Sequence, residues 1–219
     1  MKRIKPNLIY TTILVASSII LGASSIVIQG PLPGDIYLTE ALQRVFGYEP
    51  TWARIITSTA AHPLVWVTLA FGVLLAYARS RWRGVGVTLI AFASVKIADM
   101  ILRTLIYVPR PLPELVPVAS SNTSSGLPST FALVYGAIFA SILVAKTREG
   151  WMQSTAAAIA ALLLTAGIFA RVVLGGHWMS QMVASLLLAI WIGVVTHEIL
   201  RPRAAAAHPL GQSQREINN

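Results

Sequence analysis

Long apolar stretches alternate with short polar connections along the whole chain. Six of them approach or exceed the roughly 20 residues that cross a hydrocarbon core. They are Leu8–Gln29, Pro63–Ala78, Gly84–Val108, Pro128–Ala145, Trp151–Leu174 and Trp178–Leu200. The second is short by itself and is expected to begin a turn earlier, within residues 55–61. The pattern predicts an all-α, six-span transmembrane bundle with no internal repeat. Residues 1–200 form one domain on this reading, and 201–219 are expected to be a disordered tail. The longest connection, Gly30–Ala61, opens with the turn cluster Pro31-Leu32-Pro33-Gly34. After it Ile36, Leu38, Leu42, Val45 and Phe46 mark one face of a short amphipathic helix, expected to lie along the membrane surface.

Composition agrees with that class. The chain is 55% hydrophobic and only 11% charged, which is membrane-protein composition. Its formal net charge of +9 would suit a nucleic-acid partner, but the distribution excludes one. Lys2, Arg3 and Lys5 precede the first span. Arg79, Arg81 and Arg83 separate the second from the third, Lys146 and Arg148 the fourth from the fifth, and Arg201 and Arg203 follow the sixth. The intervening connections carry Asp35, Glu40, Glu49 and Glu114 instead. Basic residues in every second connection are the positive-inside pattern, with both termini cytoplasmic. The chain is therefore expected in the plasma (inner) membrane. Trp52 and Trp178 fall at the expected outer interface, Trp82 and Trp151 at the inner one. Gly22-Ala23-Ser24-Ser25 is a weak cleavage site after a long apolar run, so the first span is expected to be retained. The absence of cysteine excludes disulfides, iron–sulfur ligation and thiolate catalysis.

The third span carries Lys96, Asp99 and Arg103 on one helical face. Lys96 lies about 18 Å along the helix from Val108, near the bilayer centre. A neutralised Lys96–Asp99 pair is the simplest expectation. The alternative is the floor of a polar cavity, or an ion path. Arg103, about 8 Å from Val108, can reach the outer face by snorkelling.

Candidate chemistry gathers at one set of span ends, in three segments: 103–111, 124–131 and 171–181. Arg110 and Arg171 offer planar forks that match phosphate oxygens in pairs. Arg103 adds a third charge. Pro128 suits the first turn of a helix, and Ser129 and Thr130 follow at its start, where free N–H groups favour an anion. Gly175-Gly176 allows a tight turn before His177, six positions after Arg171. Each element alone arises by chance in many loops. Together, at the same span ends, they point to a phosphate site.

These segments resemble the signature of the type 2 phosphatidic acid phosphatase superfamily: a basic residue, six residues, Arg-Pro; then Pro-Ser-Gly-His; then Ser-Arg, five residues, His, three residues, Asp. Arg103 stands at the first basic position, with Arg110-Pro111 at the right distance. Pro128-Ser129, Arg171 and His177 are kept. Thr130 replaces the glycine, Phe131 the middle histidine, Ala170 the serine and Gln181 the aspartate. The resemblance implies that His177 is a nucleophile forming a phosphohistidine, with Arg103, Arg110 and Arg171 on the phosphoryl oxygens beside Ser129 and Thr130. It also implies that Phe131 and Gln181 are degenerate catalytic positions. A comparable Asp-to-Asn change in a serine protease costs about 10⁴ in turnover, and a general acid–base group typically contributes about 10²–10⁴.

The expected function is that of an integral membrane lipid-phosphate phosphatase, hydrolysing a phosphorylated lipid, diphosphates included, at the outer or periplasmic face. The alternative is a pseudoenzyme that binds such a lipid as sensor, partner or carrier. A transport scaffold with Lys96 and Asp99 on the path is a third. His62, at an outer span end, is a candidate substitute acid; His197 lies at the inner end and His208 in the tail. No metal or cofactor is expected.

Overall fold

The protein was analysed as a computed structural model, described over residues 6–120, 122–145 and 150–201. Lys2, Arg3, Lys5, Lys146, Arg148, Arg203 and the expected tail beyond Arg201 lie outside the described residues. The elements are α1 (Pro6–Ile28), α2 (Asp35–Phe46), α3 (Thr51–Ser58), α4 (Leu64–Leu105), α5 (Thr130–Tyr135), a π-helical stretch (Gly136–Ala140), α6 (Ser141–Leu143), α7 (Trp151–Val173) and α8 (Met179–Ile199). Among the described residues there is no strand.

Four helical segments are long and apolar enough to cross a bilayer: Ile9–Ile28, Leu64–Leu105, Trp151–Val173 and Met179–Ile199. The 42-residue α4 is not one straight rod. Ser80 (φ −142°) and Arg81 (φ 54°, ψ −147°) leave helical geometry at its middle. Trp66 packs edge-on to Phe92 with ring centroids 6.0 Å apart, whereas a straight helix would separate them by about 39 Å. The arms 64–79 and 82–105 therefore fold back on each other. They correspond to the expected second and third spans, with Arg79, Arg81 and Arg83 at the bend.

The start of α4 differs from expectation. Helix α3 ends at Ser58 and α4 begins only at Leu64, so residues 55–61 do not extend that span. Pro63 explains the break: it has no N–H to continue a helix, and it disfavours helical geometry in the residue before it. The same effect stops α4 at Leu105, where Ile106 is already extended ahead of Pro109-Arg110-Pro111.

The stretch Thr130–Leu143 is apolar but shorter than the other four. It is the axis of the bundle. Residues 131–142 are all buried, packed among α4, α7 and α8. A Cβ on Gly136 would sit 2.5 Å from Ala189, so only glycine admits α8 this close. Helix α1 packs along α8, where the Ser18 hydroxyl donates to the Ala184 carbonyl (2.8 Å).

Helix α2 lies across the end of the bundle with its polar stripe inward. Asp35, Thr39 and Gln43 are buried, while Leu38, Val45 and Phe46 are exposed. Gln43 donates to the carbonyls of Pro117 and Val173, both at 2.8 Å. The Asp35 carboxylate accepts from the backbone N–H of Leu32 (2.8 Å), and from the N–H (2.9 Å) and hydroxyl (2.5 Å) of Ser180. It thereby caps the start of α8, where anionic groups are favoured.

At the opposite end Arg79 donates to the carbonyl of Gln153 (3.2 Å), and Arg83 to that of His197 (2.7 Å). Gln153 and Arg171 lie about 27 Å apart along α7, close to a hydrocarbon thickness of about 30 Å. Trp82 and Trp151 are exposed at this end. Trp178, expected as an interfacial anchor, is instead buried.

Candidate functional site

The ends of α4 and α7 and the starts of α5 and α8 meet at one end of the bundle. The connections between them are tied together by backbone groups. The N–H of Gly126 donates to the Val108 carbonyl (2.7 Å), and the Ala119 N–H to that of Leu174 (3.0 Å). The Arg110 guanidinium donates to the Gly176 carbonyl (3.0 Å). Gly175 has a φ of 62°, and a Cβ there would sit 2.6 Å from the Pro117 carbonyl oxygen. Both facts make glycine obligatory in the turn that carries His177.

The three arginines meet different fates. Arg103 is held entirely by protein groups. It pairs with Asp99 (Nε–Oδ1 2.9 Å), donates to the Pro128 carbonyl (2.8 Å) and the Thr130 hydroxyl (2.6 Å), and reaches the Ser125 carbonyl at 3.4 Å. Thr130 in turn donates to the second Asp99 oxygen (2.8 Å). Asp99 is thus paired with Arg103 rather than with Lys96, which is exposed on the outer face of α4. The arginine fork meets the carboxylate, a carbonyl and a hydroxyl at once, which an ammonium on the exposed side cannot.

Arg110 lies over the 122–128 segment, donating to the carbonyl and hydroxyl oxygens of Ser124, each at 2.9 Å. Its pKa is pushed down to about 10 by burial, then by the like charges of Arg171 and Arg103. Arg171 is different again. Its Nε is buried and has no hydrogen-bond partner. A Cβ on Gly176 would come within 2.9 Å of its Cζ, so glycine opens the space that the guanidinium occupies. Arg110 and Arg171 both line a cavity of about 310 Å³ with Arg54, Ser58, Asn122 and Gly176. Arg54 is paired with Glu49.

His177 is only 1% exposed and does not line that cavity. Its Nδ1 is 2.8 Å from the Gly126 carbonyl oxygen. A carbonyl can only accept, so Nδ1 carries the proton and the lone pair of the neutral ring lies on Nε2. The imidazole is held well below its ordinary pKa by burial first, then by Arg171 and Arg110. The bond to Gly126 opposes that shift in part, and Arg103 adds to it. The ring is therefore neutral at neutral pH, with its nucleophilic nitrogen on Nε2.

The remaining expected site residues face inward. Ser129 is fully buried; its N–H donates to the Ser185 hydroxyl (2.8 Å), and its own hydroxyl caps α5 (3.4 Å to the Ala132 nitrogen). Ser129 and Thr130 are thus engaged away from the cavity. Phe131 stacks on Tyr135 with centroids 4.2 Å apart, in the bundle core. Gln181 accepts from the Trp178 N–H (3.2 Å) and donates to the Pro109 carbonyl (2.8 Å). The group that orients His177 is the Gly126 carbonyl, and Gln181 instead packs beneath Gly126, where a Cβ would meet its amide at 2.6 Å. His62 is exposed and lines none of the cavities around the arginines. Local spacing does not single out Asp35 or Arg54, and within the segment 124–131 it does not mark Ser124 or Gly126 above their neighbours. In the sequence Asp35 is only a charge in an intervening connection, and nothing in local spacing links it to Ser180.

No family model matches the sequence, and no curated protein matches it. Among solved structures, a transmembrane PAP2-type phosphatidylglycerolphosphate phosphatase from Bacillus subtilis is similar, with a TM-score of 0.50 over 91% of this chain and 96% of that chain. The chain shares the fold of that protein. At 16% identity the likeness is one of fold. With four helices able to cross a bilayer and a transmembrane neighbour of the same fold, this is a membrane protein. The segments 103–111, 124–131 and 171–181 converge at one end of the bundle, and of their three arginines Arg110 and Arg171 line one shared cavity.

Proposed function

We propose that the protein recognises the phosphate of a phosphorylated lipid at one membrane face, between Arg110 and Arg171. The observation that carries this reading is the Arg171 guanidinium, set in a cavity with a buried N–H that no protein group satisfies. A buried, unpaired cationic donor is costly. An anion with several oxygens in the cavity offsets the like charges of Arg171 and Arg110 together. The lipid character of the ligand rests on the membrane fold and on the phosphatidylglycerolphosphate phosphatase that shares it. In this proposal α1, the two arms of α4, Thr130–Leu143, α7 and α8 make six crossings. The Arg79–Arg83 bend and both termini are cytoplasmic, and the cavity faces the outer side of the plasma membrane, as the positive-inside distribution supports.

A second reading, hydrolysis, is favoured by the Nδ1 bond of His177, which leaves Nε2 as a nucleophile. Attack on phosphorus would form a P–N bond and break the bond to the leaving oxygen; water would then release phosphate. With Phe131 in the position of a general acid, a diphosphate lipid suits this step best, because its leaving oxygen departs as a phosphate ester and needs no proton. The experiment is vanadate binding and phosphate release from lipid mono- and diphosphates by purified protein, beside Arg171→Met and His177→Ala. Binding that Arg171→Met abolishes supports recognition, and release that His177→Ala abolishes supports hydrolysis. Equal vanadate affinity in wild type and Arg171→Met rejects the site.

A further inference from the structure

The cavity that Arg110 and Arg171 share has a further cation in its wall. Arg54 comes from α3, outside the segments 103–111, 124–131 and 171–181, and lines the cavity with Thr57 and Ser58. Spacings of three and four residues put these side chains on one helical face. The hydroxyls of that face turn back on the helix: Thr57 donates to the Arg54 carbonyl (3.1 Å) and Ser58 to the Ile55 carbonyl (2.7 Å). The guanidinium is therefore what α3 offers an anion.

Packing fixes α3 and leaves the Arg54 side chain loose. Ala53 is fully buried and clusters with Ala170 and Leu174, so the helix is seated on the turn of α7 that carries Arg171. Its other end is tied to the bundle. The Tyr135 hydroxyl lies 2.5 Å from that of Thr59 and 3.3 Å from the Ile56 carbonyl, and Thr68 donates to the Thr59 carbonyl (2.8 Å). The Arg54 side chain, by contrast, is 59% exposed, and its partner Glu49 is 33% exposed. An exposed pair is weak, because water screens the charges and both side chains lose rotamer freedom to hold it. Glu49 also stands just ahead of α3, where a carboxylate is favoured by the helix dipole whether or not Arg54 stays with it.

The other arginines are more firmly committed. Arg110 has Nε, Nη1 and Nη2 engaged by Ser124 and Gly176, and Arg103 is held by Asp99, Pro128 and Thr130. A phosphate ester brings a charge of about −1.5 to −2 and three strong acceptor oxygens, more than one screened carboxylate offers a planar fork.

We propose that Arg54 is a third anion-binding residue of this cavity, held by Glu49 in the empty protein and transferred to the phosphoryl group on binding. The carboxylate and the anion compete for one guanidinium, so Glu49 lowers the affinity of the cavity without touching the ligand. This inference rests on the anion site between Arg110 and Arg171 and adds to it a residue from outside the three segments.

The test is vanadate affinity in detergent, measured on wild type, Glu49→Gln, Arg54→Gln, Arg54→Lys and the double variant Glu49→Gln/Arg54→Gln. Glu49→Gln frees Arg54 and should tighten binding about two- to five-fold, the size of an exposed ion pair. Arg54→Gln should weaken binding by at least about ten-fold, the low end for one charge-assisted bond. Arg54→Lys should recover part of that loss, with the charge but without the fork. The double variant decides, because its net charge is that of wild type. With Arg54 as a ligand it still binds at least about three-fold below wild type, the lost bond outweighing the lost competitor. Wild-type affinity in the double variant means that the pair acts only through its charge at a distance, and overturns the inference. So does unchanged or weaker binding in Glu49→Gln. Wild-type affinity in Arg171→Met removes the anion site itself, and this inference with it. Affinity lost in Arg171→Met beside wild-type affinity in the double variant removes only the role of Arg54.

Discussion

Replacing Arg171 by methionine separates a ligand-binding arginine from a structural one, because the two roles predict opposite effects on the empty protein. Methionine keeps most of the unbranched stem and removes the guanidinium. In the empty protein that guanidinium has a buried N–H with no partner and lowers the pKa of neighbouring Arg110, which stands at about 10. An unsatisfied buried donor costs about 1–3 kcal/mol. The loss of some side-chain packing offsets part of the gain. The empty Arg171→Met protein should therefore be as stable as wild type, or more stable by about 1–2 kcal/mol. The bound state should respond in the opposite direction. Two charge-assisted bonds to a phosphoryl group at about 1.5–3 kcal/mol each put the loss on the order of 3 kcal/mol, or about 100-fold in affinity. Thermal unfolding in detergent with and without vanadate measures both. At about 100 times its Kd, vanadate should stabilise wild type by about 2.7 kcal/mol and leave Arg171→Met almost unmoved. Arg171→Lys should fall between them, keeping the charge and losing the fork. A variant that unfolds more easily when empty, yet binds vanadate as wild type does, would refute the reasoning and make Arg171 a packing residue.

The buried His177 gives a pH dependence: its folded pKa lies below the ordinary 6.5, so the unfolded chain takes up a proton first as pH falls. Stability should be fully present above pH 6.5 and decline below it, by at most about 1.4 kcal/mol per pH unit; chemical unfolding across pH 5–7.5 should lose this component in His177→Gln. Asp99→Asn leaves Arg103 without its counter-charge and should cost about 2–3 kcal/mol, less than the 3–5 typical of a fully buried pair because Arg103 is partly exposed. Lys96→Met should change detergent stability by less than about 0.5 kcal/mol, and equal losses in the two variants would restore a Lys96–Asp99 pairing. Asp35→Ala removes the acceptor for both donors of Ser180 and should cost about 1–3 kcal/mol by thermal unfolding, loosening α2 from α8 in hydrogen exchange. Gly126→Ala drives a methyl into the pinned Gln181 amide and should displace the acceptor of His177, raising proteolytic sensitivity around residues 122–128; wild-type sensitivity would show that the loop absorbs the methyl.

What the sequence determined by itself was an all-helical chain with long apolar helices and the meeting of three segments at one end. Both follow from local rules. A chain in lipid must satisfy its backbone within helices, so apolar length reports span position directly. Charge in alternate connections reports which ends lie together. The fixed spacings from Arg103 to Arg110 and from Arg171 to His177 then place the chemistry at matching ends. The proline breaks at Pro63 and Pro109 moved helix boundaries by several residues.

Only the tertiary structure decided which of those residues face the cavity and which partners they take. Along the sequence Lys96 and Arg103 stand three and four positions from Asp99 and are equivalent candidates. The choice went to Arg103 because Pro128 and Thr130, from another segment, complete its hydrogen bonds. Gln181 does not orient His177; a backbone carbonyl 51 residues away does so. A carbonyl carries no signature in a sequence, since every residue has one. Asp35 and Ser180, 145 residues apart, meet only because α2 folds across the start of α8. Periodicity and spacing are properties of one segment, and fold prediction can rest on them. Partnership among buried polar groups is a property of several packed segments at once, set by which donors each leaves unsatisfied.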